Sequence, residues 1–194
     1  RQHGFWILSD EVYNRLYFEG EVAPSFLDIR QPGDRVMVAN SFSKSWAMTG
    51  WRIGWLVHPP ELEDTMAMLV QYSTSGVATF LQYGAVAAVR DGEELVGQIR
   101  ERCRTGRDLI YEALGASNRV LLPPKPPGTM YVYFAMDGMP DSREAARSIL
   151  SRTGVGLTPG VFFSAQSEGF LRLCTCRDEA TLKEAAARLA GNLD

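Results

Sequence analysis

Phe5-Trp6-Ile7-Leu8 is a continuous apolar run of four residues, and Ser9 and Asp10 follow it at once. A run that short, without polar alternation, predicts a strand buried on both faces. Such a strand needs a sheet with neighbours on each side and layers above and below it. Two further runs fit the same sheet. Arg35-Val36-Met37-Val38-Ala39 follows the turn-formers Gln31-Pro32-Gly33-Asp34, and Arg52-Ile53-Gly54-Trp55-Leu56-Val57 is stopped by Pro59-Pro60. The first run has almost nothing ahead of it, so upstream sequence belonging to the same sheet is expected.

Helical periodicity takes over next, roughly across residues 61–89 and again from Glu93 to Leu114. The second stretch places Leu95, Ile99, Cys103, Leu109 and Leu114 on one stripe among many charges, and it is long enough to link two lobes. Pro123-Pro124-Lys125-Pro126-Pro127-Gly128 then reads as a stiff, extended connector. Beyond it, Met130-Tyr131-Val132-Tyr133-Phe134 and Gly169-Phe170-Leu171-Arg172-Leu173-Cys174 predict strands. Asp141 with Glu144 opens a helix to about Arg152 in the manner of a capping box. Asp178 starts a last helix with Leu182, Ala186, Leu189 and Leu193 on one face. The reading is α/β over residues 1–105 and a small α+β domain over 106–194, without internal repeats.

A formal charge of −3 and the lack of a Lys/Arg-rich stripe argue against a nucleic-acid surface. No apolar run approaches the length needed to cross a bilayer, and Arg1-Gln2-His3-Gly4 has no apolar signal core behind it. Three cysteines, Cys103, Cys174 and Cys176, in no framework spacing point to reduced thiols in a cytoplasmic protein. Cys174 and Cys176 are expected on one strand face, as packing residues. His3 and His58 are the only histidines, so no metal site is expected.

The chemistry-bearing segment is Ser41-Phe42-Ser43-Lys44-Ser45-Trp46-Ala47-Met48-Thr49-Gly50-Trp51-Arg52. A lysine stands four residues beyond a strand end in a turn rich in hydroxyls and glycine, and an arginine follows eight residues later. A lysine beside a cation and hydroxyls suits a Schiff-base nucleophile, and Arg52, Ser41 and Ser43 are suitable donors for a phosphate ester. Spacing alone favours a surface turn with an ordinary lysine and a strand-end arginine. Asp10, just after the first strand, would stand with Lys44 at the carboxyl ends of strands, where open α/β sheets collect ligands. A carboxylate there would keep a pyridine nitrogen protonated; by itself, Asp10 also suits a helix N-cap.

Ser9-Asp10-Glu11-Val12-Tyr13 together with Ser41-Phe42-Ser43-Lys44 and Gly50-Trp51-Arg52-Ile53-Gly54 resembles the class I/II aminotransferases, the aspartate-aminotransferase type of fold-type I pyridoxal-phosphate enzyme. The resemblance covers essentially the whole chain. It implies the C-terminal portion of that fold: part of the large-domain mixed, mainly parallel sheet with its helices, then a small α+β domain. It also implies pyridoxal 5'-phosphate as cofactor and a ping-pong exchange of an amino group between an amino acid and a 2-oxo acid. Lys44 would be the Schiff-base residue and proton shuttle, Asp10 the partner of the pyridine nitrogen, and Tyr13 a donor to the phenolic oxygen. Ser41 and Arg52 would hold the phosphate, with Ser43 close by.

Gly169-Phe170-Leu171-Arg172-Leu173 resembles the family strand whose arginine grips the substrate α-carboxylate, and Gly154–Gly160 resembles its approach. Tyr131 would face the substrate or simply pack, and Trp46, Trp51 and Trp55 would be core and interface aromatics. A homodimer is implied for the full-length protein, with residues 73–79 reaching the partner subunit's site. Related chemistries, a β-lyase or a cyclopropane-carboxylate synthase, use the same lysine, and a non-catalytic fragment would keep the same signature.

Overall fold

The computed structural model describes residues 1–192, so Leu193 of the predicted final helix stripe lies outside the described residues. Contacts divide the chain into two units, residues 1–100 and the residues from Glu101 onward.

In the first unit, β1 (Ile7–Asp10) pairs in parallel with β2 (Val36–Ser41), and β2 pairs antiparallel with β3 (Gly54–Val57), in the order β1-β2-β3. The four-residue apolar run is displaced from its predicted place. Phe5 and Trp6 precede β1 and are exposed, and Leu8 within it is 64% exposed. As an edge strand, β1 has one face without cover from the described residues. Val36 and Val38 of β2 alternate into the interior instead. β3 also begins later than predicted, because Arg52 is left-handed at φ 55° and cannot join a ladder.

The helical stretch predicted over 61–89 is two helices, α2 (Glu63–Ser73) and α3 (Thr79–Asp91). The break follows from Ser73, Thr74 and Ser75. Their hydroxyls donate back to Val70 O, Val70 O and Gln71 O, while Ser75 and Gly76 turn left-handed. α2 buries none of its residues and α3 only Ala85, leaving Met68, Leu69, Tyr72, Phe80 and Tyr83 exposed.

Helix α4 (Glu93–Gly115) matches its predicted span, but its buried stripe is Val96, Ile99, Cys103, Gly106, Ile110 and Leu114. Leu95 faces outward: three- and four-residue steps back from Ile99 reach Val96 and Leu95 respectively, and it is Val96 that the packing buries.

The second unit holds β4 (Val120–Leu121), β5 (Tyr131–Met136), α5 (Ser142–Thr153), β6 (Thr158–Pro159), β7 (Phe170–Cys174) and α6 (Glu179–Ala190). Its sheet runs β4-β5-β7-β6, antiparallel throughout. The proline connector is tied to α4 through its carbonyls: Tyr111 Oη donates to Pro123 O at 3.0 Å and Arg107 Nη1 to Pro126 O at 2.8 Å. Asp141 caps α5 by accepting from the Arg143 and Glu144 amides, and Glu168 accepts from the Ser142 amide at 2.7 Å. Asp178 caps α6 through the Thr181 amide.

Period two divides the sheet cleanly. Val132, Phe134, Leu171 and Leu173 face a core completed by Ile110, Leu114, Ile149, Leu182 and Leu189. Each fully buried large side chain there contributes about 1.5–3 kcal/mol. The other face carries Tyr131, Tyr133, Phe170 and Arg172. Among the described residues, no helix is long and apolar enough to cross a membrane, and no three His, Cys, Asp or Glu side chains group as metal ligands.

Candidate active site

The parallel pairing of β1 with β2 brings two strand ends to one edge. Asp10 pairs with Ala39, and the Glu11 amide donates to Ala39 O at 2.8 Å. Beyond β1 the chain closes into turns, with Asp10 Oδ1 accepting from the Val12 amide at 3.2 Å and the Leu16 amide donating to Tyr13 O at 2.8 Å. Fully buried Leu16 pins this segment. No helix follows Asp10, so the N-cap alternative fails, and its carboxylate stays exposed at the strand end.

Beyond β2, Ser41 caps the one-turn helix α1 (Phe42–Ser45). Its Oγ accepts from the Ser43 amide at 2.9 Å and donates to Ile53 O at 3.3 Å. Phe42 and Ser45 are buried, which turns Ser43 and Lys44 to the open side. Lys44 Nζ ends 5.7 Å from the centre of the Tyr13 ring. The structure thus gathers Asp10, Tyr13, Ser41, Ser43 and Lys44 from two neighbouring strand ends.

The lysine loop is braced on α3. Phe42 packs on Trp46 and Trp55, with ring centres 4.9 and 5.3 Å apart, and Trp46 Nε1 donates to Ala88 O at 2.8 Å. Two glycines make room for the tryptophans: a Cβ on Gly92 would stand 2.9 Å from Trp46 Cδ1, and one on Gly84 2.9 Å from Trp51 Cη2. Arg52 ends the loop with an exposed guanidinium whose Nη1 donates to Thr49 O at 2.9 Å. The crossing beside it is tight, since a Cβ on Gly54 would lie 2.6 Å from Asn40 O.

Arg172 belongs to the second unit. It sits mid-sheet, opposite Tyr133 on β5 and Thr158 on β6. Its guanidinium carbon lies 4.1 Å from the centre of the Tyr131 ring and 4.3 Å from that of Phe163. These cation–π contacts hold the plane of the guanidinium while its N–H groups remain suited to a carboxylate. Tyr131 is thus a support for Arg172, brought to it by the antiparallel register of β5 with β7. Phe163 was missed: it arrives from the turn Gly160–Phe162 after β6, and no local pattern marks it.

The chain matches the family model described as aminotransferase class I and II over residues 1–189. It is 38% identical over 192 residues to the arginine–pyruvate transaminase AruH of Pseudomonas aeruginosa, covering 97% of this chain and 48% of that protein. It is 33% identical over 195 residues to the asparagine–oxo-acid transaminase of Streptococcus mutans, covering 97% and 49%. Among solved structures, a mutant of the Thermus thermophilus aspartate aminotransferase superposes with a TM-score of 0.86 at 32% identity, over 98% of this chain and 51% of that one. The chain therefore spans about half the length of these relatives. On the match across nearly its whole length, it belongs to the class I and II aminotransferase family.

Proposed function

We propose that the protein carrying this chain transfers an amino group between an amino acid and a 2-oxo acid, using pyridoxal 5'-phosphate at Lys44. The observation that carries the reading is the convergence of Lys44 Nζ on the Tyr13 ring, at the strand edge where Asp10 ends β1. The donor set fits the cofactor: a primary amine, a carboxylate for a ring nitrogen, a phenol, and Ser41, Ser43 and Arg52 for a phosphate. When bound, the cofactor supplies an electron sink for charge developing at the substrate α-carbon.

The chain's own residues do the rest. Lys44 would hold the cofactor through Nζ, and the same amine would serve as the base that moves the proton of the substrate α-carbon. Asp10 keeps the ring nitrogen protonated, and Tyr13 donates to the phenolic oxygen. Arg172 takes the α-carboxylate, oriented by Tyr131 and Phe163. Ser41 Oγ is bonded within the loop, so its part in phosphate binding requires exchange of the bond to Ile53 O. A homodimer completes the reading, supported by the exposed Phe80 and Tyr83 of α3.

The test is borohydride reduction of the protein with added cofactor, followed by mass spectrometry. A pyridoxyl label on Lys44 that disappears in a folded Lys44→Ala variant is expected. Labelling that persists in that variant would sink the assignment.

A further inference from the structure

Away from the candidate site, the second unit brings two cysteines together. Cys103 lies fully buried on the α4 stripe, and Cys176 is half-buried just beyond the end of β7. The shared strand face expected for Cys174 and Cys176 does not form. β7 stops at Cys174, which is exposed, while the chain turns so that Cys176 meets α4.

The approach is close because of Gly106. A Cβ there would collide with Thr175 O and stand 2.7 Å from Leu182 Cδ1, so helix and strand end meet without an intervening side chain. Cys103 is one helical turn earlier on the same face. Thr175 is itself fully buried and fixed by its amide's bond to Met130 O at 2.8 Å, which settles the position of the next residue. Cys176, the residue after Thr175, is thereby set beside the helix turn that carries Cys103, and each thiol acts on the titration of the other.

We propose that Cys103 and Cys176 form a peroxide-sensitive dithiol that closes to a disulfide joining α4 to the end of β7. The roles follow from the surroundings. Cys103, with the guanidiniums of Arg102 and Arg177, lowers the Cys176 thiol below its ordinary value. Cys176 and burial raise Cys103. Cys176 is therefore the thiolate, and the more accessible one; Cys103 is the resolving thiol.

The Cys176 thiolate attacks one oxygen of hydrogen peroxide, the O–O bond breaks, and a sulfenic acid forms with release of hydroxide. Cys103 sulfur then attacks the Cys176 sulfur. The S–S bond forms, the S–O bond breaks, and the Cys103 proton leaves with the hydroxyl group as water. In sum, two thiols and one peroxide give one disulfide and two waters. In a reducing compartment the bridge is transient and thiol-reversible. It ties the helix to the strand that carries Arg172, four residues from that side chain.

Cys174 and Cys176 share one tryptic peptide, bounded by Arg172 and Arg177, so the test uses the Cys174→Ser variant of the protein as purified. It is treated with hydrogen peroxide, alkylated in denaturant, digested without reduction and read by mass spectrometry. The expected result is loss of both separately alkylated peptides and appearance of one Cys103–Cys176 linked pair, which dithiothreitol abolishes. With Cys103 also changed to Ser, dimedone should instead label Cys176. Recovery of both peptides singly alkylated, at a peroxide dose that oxidises Cys174 in the unmodified protein, overturns the proposal. So does a dimedone adduct on Cys176 while Cys103 is present and no linked pair forms.

Discussion

Phe163→Ala tests how Arg172 is held. Phe163 is 49% exposed, so truncating it removes only about half the value of a buried phenylalanine, roughly 1 kcal/mol of global stability. Its contact with the guanidinium, at 4.3 Å, is worth more to function. Arg172 is half-buried, and a cation–π contact in that setting contributes about 1 kcal/mol. Lost, that energy frees the guanidinium to leave the orientation that meets a carboxylate, and about 1 kcal/mol corresponds to roughly fivefold in affinity. Steady-state kinetics of the intact protein, with the amino donor varied, should show KM raised by about that factor and kcat within about twofold. Tyr131→Ala, removing the ring at 4.1 Å, should act similarly. The double variant should reach roughly thirtyfold if the rings act independently. An unchanged KM in Phe163→Ala, alongside a large increase in Arg172→Lys, would refute the argument that the rings orient the guanidinium. A fall in kcat at constant KM would refute it differently, by placing Phe163 at the chemical step.

Two glycines of one helix should respond with opposite signs to the same substitution. Gly106→Ala pushes a methyl into Thr175 O and should destabilise by about 1–3 kcal/mol, whereas Gly97→Ala, with nothing within 4 Å, should stabilise by about 0.5–1 kcal/mol. Urea unfolding measures both, and a shared sign would remove the close-approach argument. Glu168 gives a pH signature. Hydrogen bonds from Ser142 hold its carboxyl below the usual carboxylate range, so the folded-state pKa is the lower one. Its contribution is present above the unfolded value, about 4.3, and is lost as pH falls through the folded one. Thermal melts of the protein and of Glu168→Gln should therefore converge on acidification, and a gap that stays constant with pH would exclude this role.

What could be read from the sequence was local. The segments Ser9–Tyr13 and Ser41–Gly54 carry their residues at short fixed spacings, and a strand followed by a turn sets their geometry with little outside help. The parallel pairing Asp10 to Ala39 then brings the two together, as the rule for strand carboxyl ends anticipates. Caps were legible for the same reason: Asp141 and Asp178 each satisfy amides two or three residues away. Features set at a distance were not legible. Leu95 and Val96 are adjacent and both apolar, and packing alone decides which is buried. The break after Ser73 depends on hydroxyls competing with the helix's own amides, which periodicity does not register. Phe163 and Cys176 gain their partners only after the chain has turned at β6 and β7, so their spacing to Arg172 or Cys103 says nothing in advance.

The lysine loop shows why local rules fail where function is expected. Between Phe42 and Ile53 the chain adopts a one-turn helix, leaves it through Ala47 at φ 54°, and reaches Arg52 at φ 55°. Neither residue is glycine, and each left-handed position costs of order 1 kcal/mol. Glycines stand instead at Gly84 and Gly92, where space is needed beneath Trp51 and Trp46, and at Gly54, where backbone crosses backbone. The loop's own glycine, Gly50, stands in open space and at neither left-handed position. Substituting glycine for Arg52 would relax the backbone but remove the guanidinium. On the proposed phosphate role, arginine at that strained position would be there for its side chain, and the tryptophan packing on α3 braces the loop around it.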